Sequence, residues 1–200
     1  AHSSLAYLGG LAGLEFVHEA TARPEYRRFI ECLWDESQTT LPLGSELDIP
    51  TYRKALMTRF SNSALQHSLR QIAMDGSQKL PQRLLAPVAA RLEQGQSIDA
   101  LVLAIAAWMR WQDGRDDHDV GFAINDPLAS QIASRLAGRA DYADKAAALL
   151  SIEEVFAPSL TDHPVFREKL MAAYARLSDD GAAAVLATYF ADHLKGSHYD

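Results

Sequence analysis

Apolar residues recur every three or four positions in nearly every segment of the chain, which is the period of an amphipathic α-helix. The clearest stripe is Tyr26, Phe29, Ile30 and Leu33. Residues 100–109 are apolar on all sides, which predicts a helix buried at the centre of the molecule. No segment shows the sustained alternation with a period of two that is typical of strands. The pattern predicts an all-α fold, a single multi-helical domain of about ten helices.

Prolines, glycines and capping residues predict where the helices begin and end. Pro24 is expected in the first turn of the second helix, and residues 39–50 are expected to form a loop. Ser77 is predicted to cap a helix that runs to residue 92 and is kinked at Pro87. Ser97 is predicted to cap the apolar helix, and residues 65–72 to form a short helix.

The first helix is expected to contain three glycines, Gly9, Gly10 and Gly13. An interior glycine costs a helix about 1 kcal/mol relative to alanine, so we expect another backbone to pack closely against them. The spacing is not that of a dinucleotide-binding loop, which needs a GxGxxG motif directly after a strand.

Composition limits the classes of partner and the compartment. The chain of 200 residues has a net charge of −7, which argues against nucleic acid or an anionic membrane as its main partner. Cys32 is the single cysteine, so no internal disulfide can form, and we expect an inert core thiol in a reducing, cytoplasmic location. The longest apolar run has ten residues, which is too short to span a bilayer.

Two residues carry candidate chemistry. Asp75 and Gly76 predict a tight turn that brings Lys79 to a helix N-terminus, where a cation opposes the helix dipole. A lysine and a histidine such as His2 can together orient and polarise a carbonyl or an alcohol without a metal. An ordinary surface lysine and a helix-end histidine are the alternatives. The acidic turn 113–119 does not match an EF-hand register.

Three segments, residues 1–9, 26–29 and 72–83, resemble the C-terminal domain of the mannitol dehydrogenase family, and the similarity extends over residues 1–200. The resemblance implies a helical substrate domain that follows a Rossmann domain binding NAD, the Rossmann domain lying outside this chain. It also implies metal-independent interconversion of a sugar alcohol or aldonate with its keto form, as in mannitol and fructose or mannonate and fructuronate.

The resemblance also implies roles for individual residues. In the family a Lys is followed after four residues by an Asn and after two more by a His, and His2 matches that His. The Lys, as general base, and the Asn would then precede Ala1. His2 would act as a catalytic residue on the reacting oxygens, and Lys79 would bind substrate. Several family members have a substrate-binding Arg where this chain has Gln71, with Arg70 beside it.

The expected partners are a small polyol, ketose or aldonate and the chain's own Rossmann domain, in a monomer or homodimer, without nucleic acid or membrane. This chain alone is expected to be inactive. Two alternatives stay open. A non-catalytic helical interaction module predicts that His2 and Lys79 lie far apart, whereas a sugar-acid binding domain predicts affinity without chemistry.

Overall fold

The computed structural model describes residues 1–38 and 48–194, with side chains to residue 188. The α-helices in these residues are α1 His2–Leu11, α2 Val17–Thr21, α3 Pro24–Gln38, α4 Ile49–Phe60, α5 Leu69–Ile72, α6 Gly76–Leu80, α7 Ala86–Glu93, α8 Asp99–Trp111, α9 Ala129–Leu136, α10 Tyr142–Leu150, α11 Pro158–Thr161, α12 Pro164–Asp180 and α13 Ala182–Leu194. A 3₁₀ turn covers Ser63–Leu65 and a π-helical turn covers Pro81–Leu85. The described residues contain two isolated β-bridges and no strand, which confirms the all-α prediction. Residues 39–47 of the predicted loop lie outside the described part.

Helix α8 is the centre of the core, as its apolar sequence predicts. Every residue from Ala100 to Met109 is buried, and α1, α3, α7 and α12 pack around the helix. Burial of apolar surface on all sides is the main source of stability for such a helix. None of the helices in residues 1–38 and 48–194 is long and apolar enough to cross a bilayer.

Helix α1 packs beside α8 and α5, and its glycines make room for side chains. A Cβ at Gly9 would lie 2.8 Å from Cδ1 of Leu69, and one at Gly10 would lie 2.6 Å from Cζ3 of Trp111. The predicted close approach therefore exists, but the approaching groups are side chains and not a backbone. Gly13 is not in the helix as predicted, because the helix ends at Leu11 and Gly13 has a φ of +87°.

The segment between α4 and α7 differs most from the prediction. The short helix expected over 65–72 is interrupted by Gln66 in a left-handed conformation, and α5 begins only at Leu69. The prediction that Ser77 caps the next helix was wrong, since α6 already begins at Gly76. Pro87, predicted to kink the interior of this helix, instead lies in the first turn of α7, and a π-helical turn precedes it, in which Ala86 N donates to Pro81 O.

Glu36 of α3 joins α3 to the start of α8. Its carboxylate accepts hydrogen bonds from Ala100 N at 3.1 Å and Leu101 N at 2.8 Å, although the side chain is only 7% exposed. The predicted cap, Ser97, contributes a longer bond of 3.4 Å to Asp99 N. The free N–H groups of the central helix are thus satisfied by a residue about 60 positions upstream, which no local pattern could indicate.

Candidate functional site

The turn that carries Lys79 is held by a loop distant in sequence. Asp75 adopts a left-handed conformation with a φ of 58°, and its N–H donates to Asn125 O at 3.0 Å. Asp126 accepts from both Ser77 N, at 2.8 Å, and the Ser77 hydroxyl. Because a charged acceptor makes these bonds strong, the loop fixes the first residues of α6 and hence the start of the Lys79 side chain.

Gly76 lies where α1, α6 and α8 meet. A Cβ at this position would contact the Tyr7 hydroxyl oxygen and would lie 2.7 Å from Trp108 Nε1. Those two polar atoms are buried and have no hydrogen-bond partner among the described residues. Burial also raises the pKa of Tyr7, so its phenol stays protonated. Only a residue without a side chain fits against this pair.

The Lys79 ammonium is held by the backbone that precedes it. Nζ donates to Ile72 O at 3.0 Å and to Met74 O at 2.6 Å. Lys79 is the fourth residue of the five-residue α6, so it does not lie at a helix N-terminus as predicted. Burial, followed by the positive charge of Arg83, lowers its pKa below the usual value. Two of three N–H donors are occupied, and one remains for a ligand.

His2 is the first residue of α1, and its ring is positioned by Phe60 at the end of α4. The ring centroids are 4.2 Å apart in an edge-on arrangement. Burial lowers the pKa of His2 to about 4, and the positive charges of Arg59, His67 and Arg83 act in the same direction. The imidazole is therefore neutral near pH 7, and it can both donate and accept a hydrogen bond.

A small cavity of about 20 Å³ lies between the start of α1 and the end of α6 with the π-helical turn that follows it. Its lining residues are Ala1, Ser3, Ser4, Lys79, Leu80, Arg83 and Leu84. The cavity thus brings Lys79 next to the residues on both sides of His2. The Ser3 hydroxyl is buried here and has no partner among the described residues.

Arg83 is a site residue that the sequence reasoning missed. It is exposed, it lines the same cavity, and its charge lowers the pKa values of both His2 and Lys79. The sequence did contain a signal for Arg83: it follows Lys79 by four residues, and side chains four residues apart lie on the same face of a helix.

Arg70 and Gln71 lie elsewhere. Arg70 lines a separate cavity of about 360 Å³ at the C-terminal end of α1, together with Gly10 and Gly13, and its guanidinium lies 5.4 Å from the centre of the Phe122 ring. Gln71 is exposed on α5, and its N–H is capped by the Ser68 hydroxyl at 3.4 Å. The structure therefore groups Lys79 with the start of α1 and separates Arg70 from them.

A nucleotide does not fit the glycine cluster. The space above Gly9 and Gly10 is filled by Leu69 and Trp111, so no phosphate can approach the backbone there. Within residues 1–38 and 48–194, no group of three or more His, Cys, Asp or Glu side chains is arranged to hold a metal ion. What the arrangement offers is a neutral imidazole, an ammonium, a hydroxyl and a guanidinium, which suits the binding of oxygen atoms.

Solved polyol dehydrogenases share this helical fold. The match to Pseudomonas fluorescens mannitol 2-dehydrogenase, solved as a ternary complex with NAD and D-mannitol, has a TM-score of 0.86 and 28% identity. It covers 98% of this chain and 38% of that one. A D-sorbitol dehydrogenase in substrate-free form matches in fold with a TM-score of 0.81 at 22% identity, over 92% of this chain and 38% of that one.

Residues 1–178 match the family model of the mannitol dehydrogenase C-terminal domain, and the chain belongs to that family, as the resemblance predicted. It is 38% identical over 187 residues to D-mannonate oxidoreductase of Escherichia coli strain K12, covering 93% of this chain and 38% of that protein. It is 30% identical over 189 residues to mannitol 2-dehydrogenase of Phaeosphaeria nodorum, covering 94% of this chain and 32% of that protein. The chain thus spans only about a third of the length of these relatives, 38% of the first and 32% of the second.

Proposed function

We propose that this chain is the substrate-binding domain of an NAD-dependent oxidoreductase that interconverts a secondary alcohol of a sugar alcohol or aldonate with the corresponding ketone. The names of its relatives, D-mannonate oxidoreductase and mannitol 2-dehydrogenase, support this reaction class. The structural neighbour solved with NAD and D-mannitol supports the cofactor and the kind of substrate.

The observation that carries the proposal is the position of Lys79 in one cavity with Ala1 and Ser3, the two neighbours of His2. An interaction module would have no reason to place the half-buried ammonium of α6 beside the start of α1, where His2 lies. We assign His2 to the reacting oxygen, which it stabilises by a hydrogen bond, and the remaining donor of Lys79 to another substrate oxygen.

Helix α5 is the second element that we assign to substrate binding. Arg70 and Gln71 directly precede Ile72, whose carbonyl holds Lys79 in place. NAD, which accepts the hydride in this reaction, is proposed to bind to a Rossmann domain outside these 200 residues. The same applies to the Lys and the Asn that the family resemblance implies before Ala1.

The test is turnover by the longer protein that contains this chain. With NADH and fructose or fructuronate, the absorbance at 340 nm is expected to fall, and the reaction should survive a metal chelator. Calorimetric binding of these compounds without any turnover would favour a sugar-acid binding domain instead. If there is neither turnover nor binding, the oxidoreductase assignment is wrong.

A further inference from the structure

The cavity beside Lys79 is lined by an excess of hydrogen-bond donors. The Ser3 side chain is only 8% exposed, and its hydroxyl has no partner among the described residues. Lys79 keeps one free N–H, because its other bonds go to the carbonyls of Ile72 and Met74. Arg83 has no hydrogen bond or ion pair within the part of the chain that the structure describes. Such a set of donors is satisfied by a ligand that only accepts hydrogen bonds.

The charges around the cavity favour an anion over a neutral group. Arg83 and Lys79 repel each other, which contributes to the lowered pKa of Lys79. Asp75 and Asp126 act on Lys79 in the opposite sense, but neither of these carboxylates lines the cavity, whereas Lys79 and Arg83 both do. A hydroxyl group bound here would leave the repulsion between the two cations in place, whereas an anion would relieve it.

The volume of the cavity limits how much of an anion can lie inside it. A volume of about 20 Å³ holds one group of roughly the size of a water molecule. One oxygen of a carboxylate would fill this volume and would accept from Ser3 and Lys79. The second oxygen would then lie outside the cavity, where the exposed Arg83 could pair with it.

We propose that Ser3, Lys79 and Arg83 form a carboxylate-binding subsite, and that the substrate of this domain is an aldonate rather than an uncharged sugar alcohol. The inference rests on the proposed function and narrows its substrate class. It adds two residues, Ser3 and Arg83, to the site.

The experiment compares mannonate and mannitol oxidation by the longer protein and its variants. Arg83→Gln is expected to raise KM for mannonate by about tenfold or more, because a hydrogen bond to a charged group is lost. KM for mannitol should change by less than about threefold. Ser3→Ala should raise KM for mannonate by a smaller factor, and added salt should raise this KM more in the wild type than in Arg83→Gln, which has lost one of the two cations. Arg28→Gln, which removes an exposed charge on α3 outside the cavity, is the matched control and should behave like the wild type.

The outcomes separate the two proposals. No turnover of either compound overturns the proposed function. Turnover of mannitol with equal or better kcat/KM than mannonate overturns the carboxylate subsite alone, as does an equal effect of Arg83→Gln on both substrates. If Arg83→Gln lowers the melting temperature and leaves KM for mannonate unchanged, the subsite holds an acidic side chain of the protein itself, and the inference about the substrate is wrong.

Discussion

At the scale of single residues, the role of Lys79 follows from how its N–H donors are divided. The bonds to Ile72 O and Met74 O fix the ammonium against the backbone. A lysine held in this way is suited to positioning a ligand, because its geometry is set before the ligand arrives. His2 differs, since its ring has an apolar contact with Phe60 on one side and keeps both nitrogens for polar groups.

This difference predicts two kinetic signatures in the longer protein. Lys79→Ala should raise KM more than it lowers kcat, because a positioning contact is mostly made in the ground state as well. His2→Ala should lower kcat/KM on the order of 100-fold if the imidazole acts at the reacting oxygen. Steady-state kinetics of both variants with the preferred substrate measure these effects. Wild-type behaviour of both variants would contradict the site assignment.

Gly76→Ala is predicted to destabilise the fold by steric conflict. Its Cβ would contact Tyr7 and lie 2.7 Å from Trp108 Nε1, and both rings belong to the core. Overpacking of this kind costs roughly 1–3 kcal/mol. Gly121→Ala is the matched control, since the nearest atom to its Cβ would be 3.9 Å away. Urea denaturation should show a large loss for the first variant and a change within about 0.5 kcal/mol for the second. Equal stability of the two variants would contradict the close packing at Gly76.

At the scale of helices, sequence predicts long elements well and short ones poorly. The stripe from Tyr26 to Leu33 and the apolar run from Ala100 to Met109 specify α3 and α8, because many residues contribute to each pattern. The left-handed conformation of Asp75 could not be predicted, because it is fixed by a bond to Asn125 O, 50 residues further along the chain.

The residues of the candidate site also fall into those that the sequence indicates and those that it does not. Lys79 could be found from its position after the Asp75–Gly76 turn, and His2 from the family pattern. Arg83 is indicated only by its spacing of four residues from Lys79, and Ser3 has no sequence signal, because its place in the site depends on the contact between the start of α1 and α6 with the turn that follows it. The hydrogen bonds of Lys79 to carbonyls carry no sequence signal, because every residue has a carbonyl group.

Glu36 gives the junction of α3 and α8 a predicted pH dependence. Burial raises the pKa of this carboxyl above its ordinary value, and the bonds from Leu101 N and Ala100 N only partly oppose that effect. Since the folded state holds the proton more strongly, the contribution of Glu36 to stability is complete at low pH. It falls as the pH rises from the unfolded pKa through the folded one.

Glu36→Gln removes this titration. The amide has a single oxygen, so one of the two N–H donors is left without an acceptor, at a cost of about 1–3 kcal/mol. The difference in unfolding free energy between wild type and variant should therefore shrink as the pH rises above about 4.5. Chemical denaturation of both proteins between pH 4 and pH 8 measures it. A difference that grows with pH would show that the backbone bonds outweigh burial.

At the scale of the whole molecule, one continuous core built on α8 supports a site at its edge. The residues that line the cavity come from the start of α1, from α6 and from the π-helical turn after α6. Both α1 and that turn pack against α8. A domain of this size buries enough apolar surface to fold by itself. The chain nevertheless spans only 32–38% of the length of the two relatives named above. This chain studied alone is therefore expected to be stably folded but inactive.

The last prediction concerns the stability and the activity of this chain when it is expressed alone. The 200 residues expressed alone should fold, with a helical circular dichroism spectrum and cooperative unfolding, and yet should not oxidise NADH in the presence of fructose or fructuronate. The physical reason is that Leu69 and Trp111 occupy the space at the glycine cluster where phosphates would need to approach. The base that the family resemblance implies would also lie before Ala1. The longer protein, assayed at 340 nm under the same conditions, is the control. Clear turnover by the folded chain would show that the nucleotide site and the base lie within these residues, and the proposed division into two domains would then be wrong.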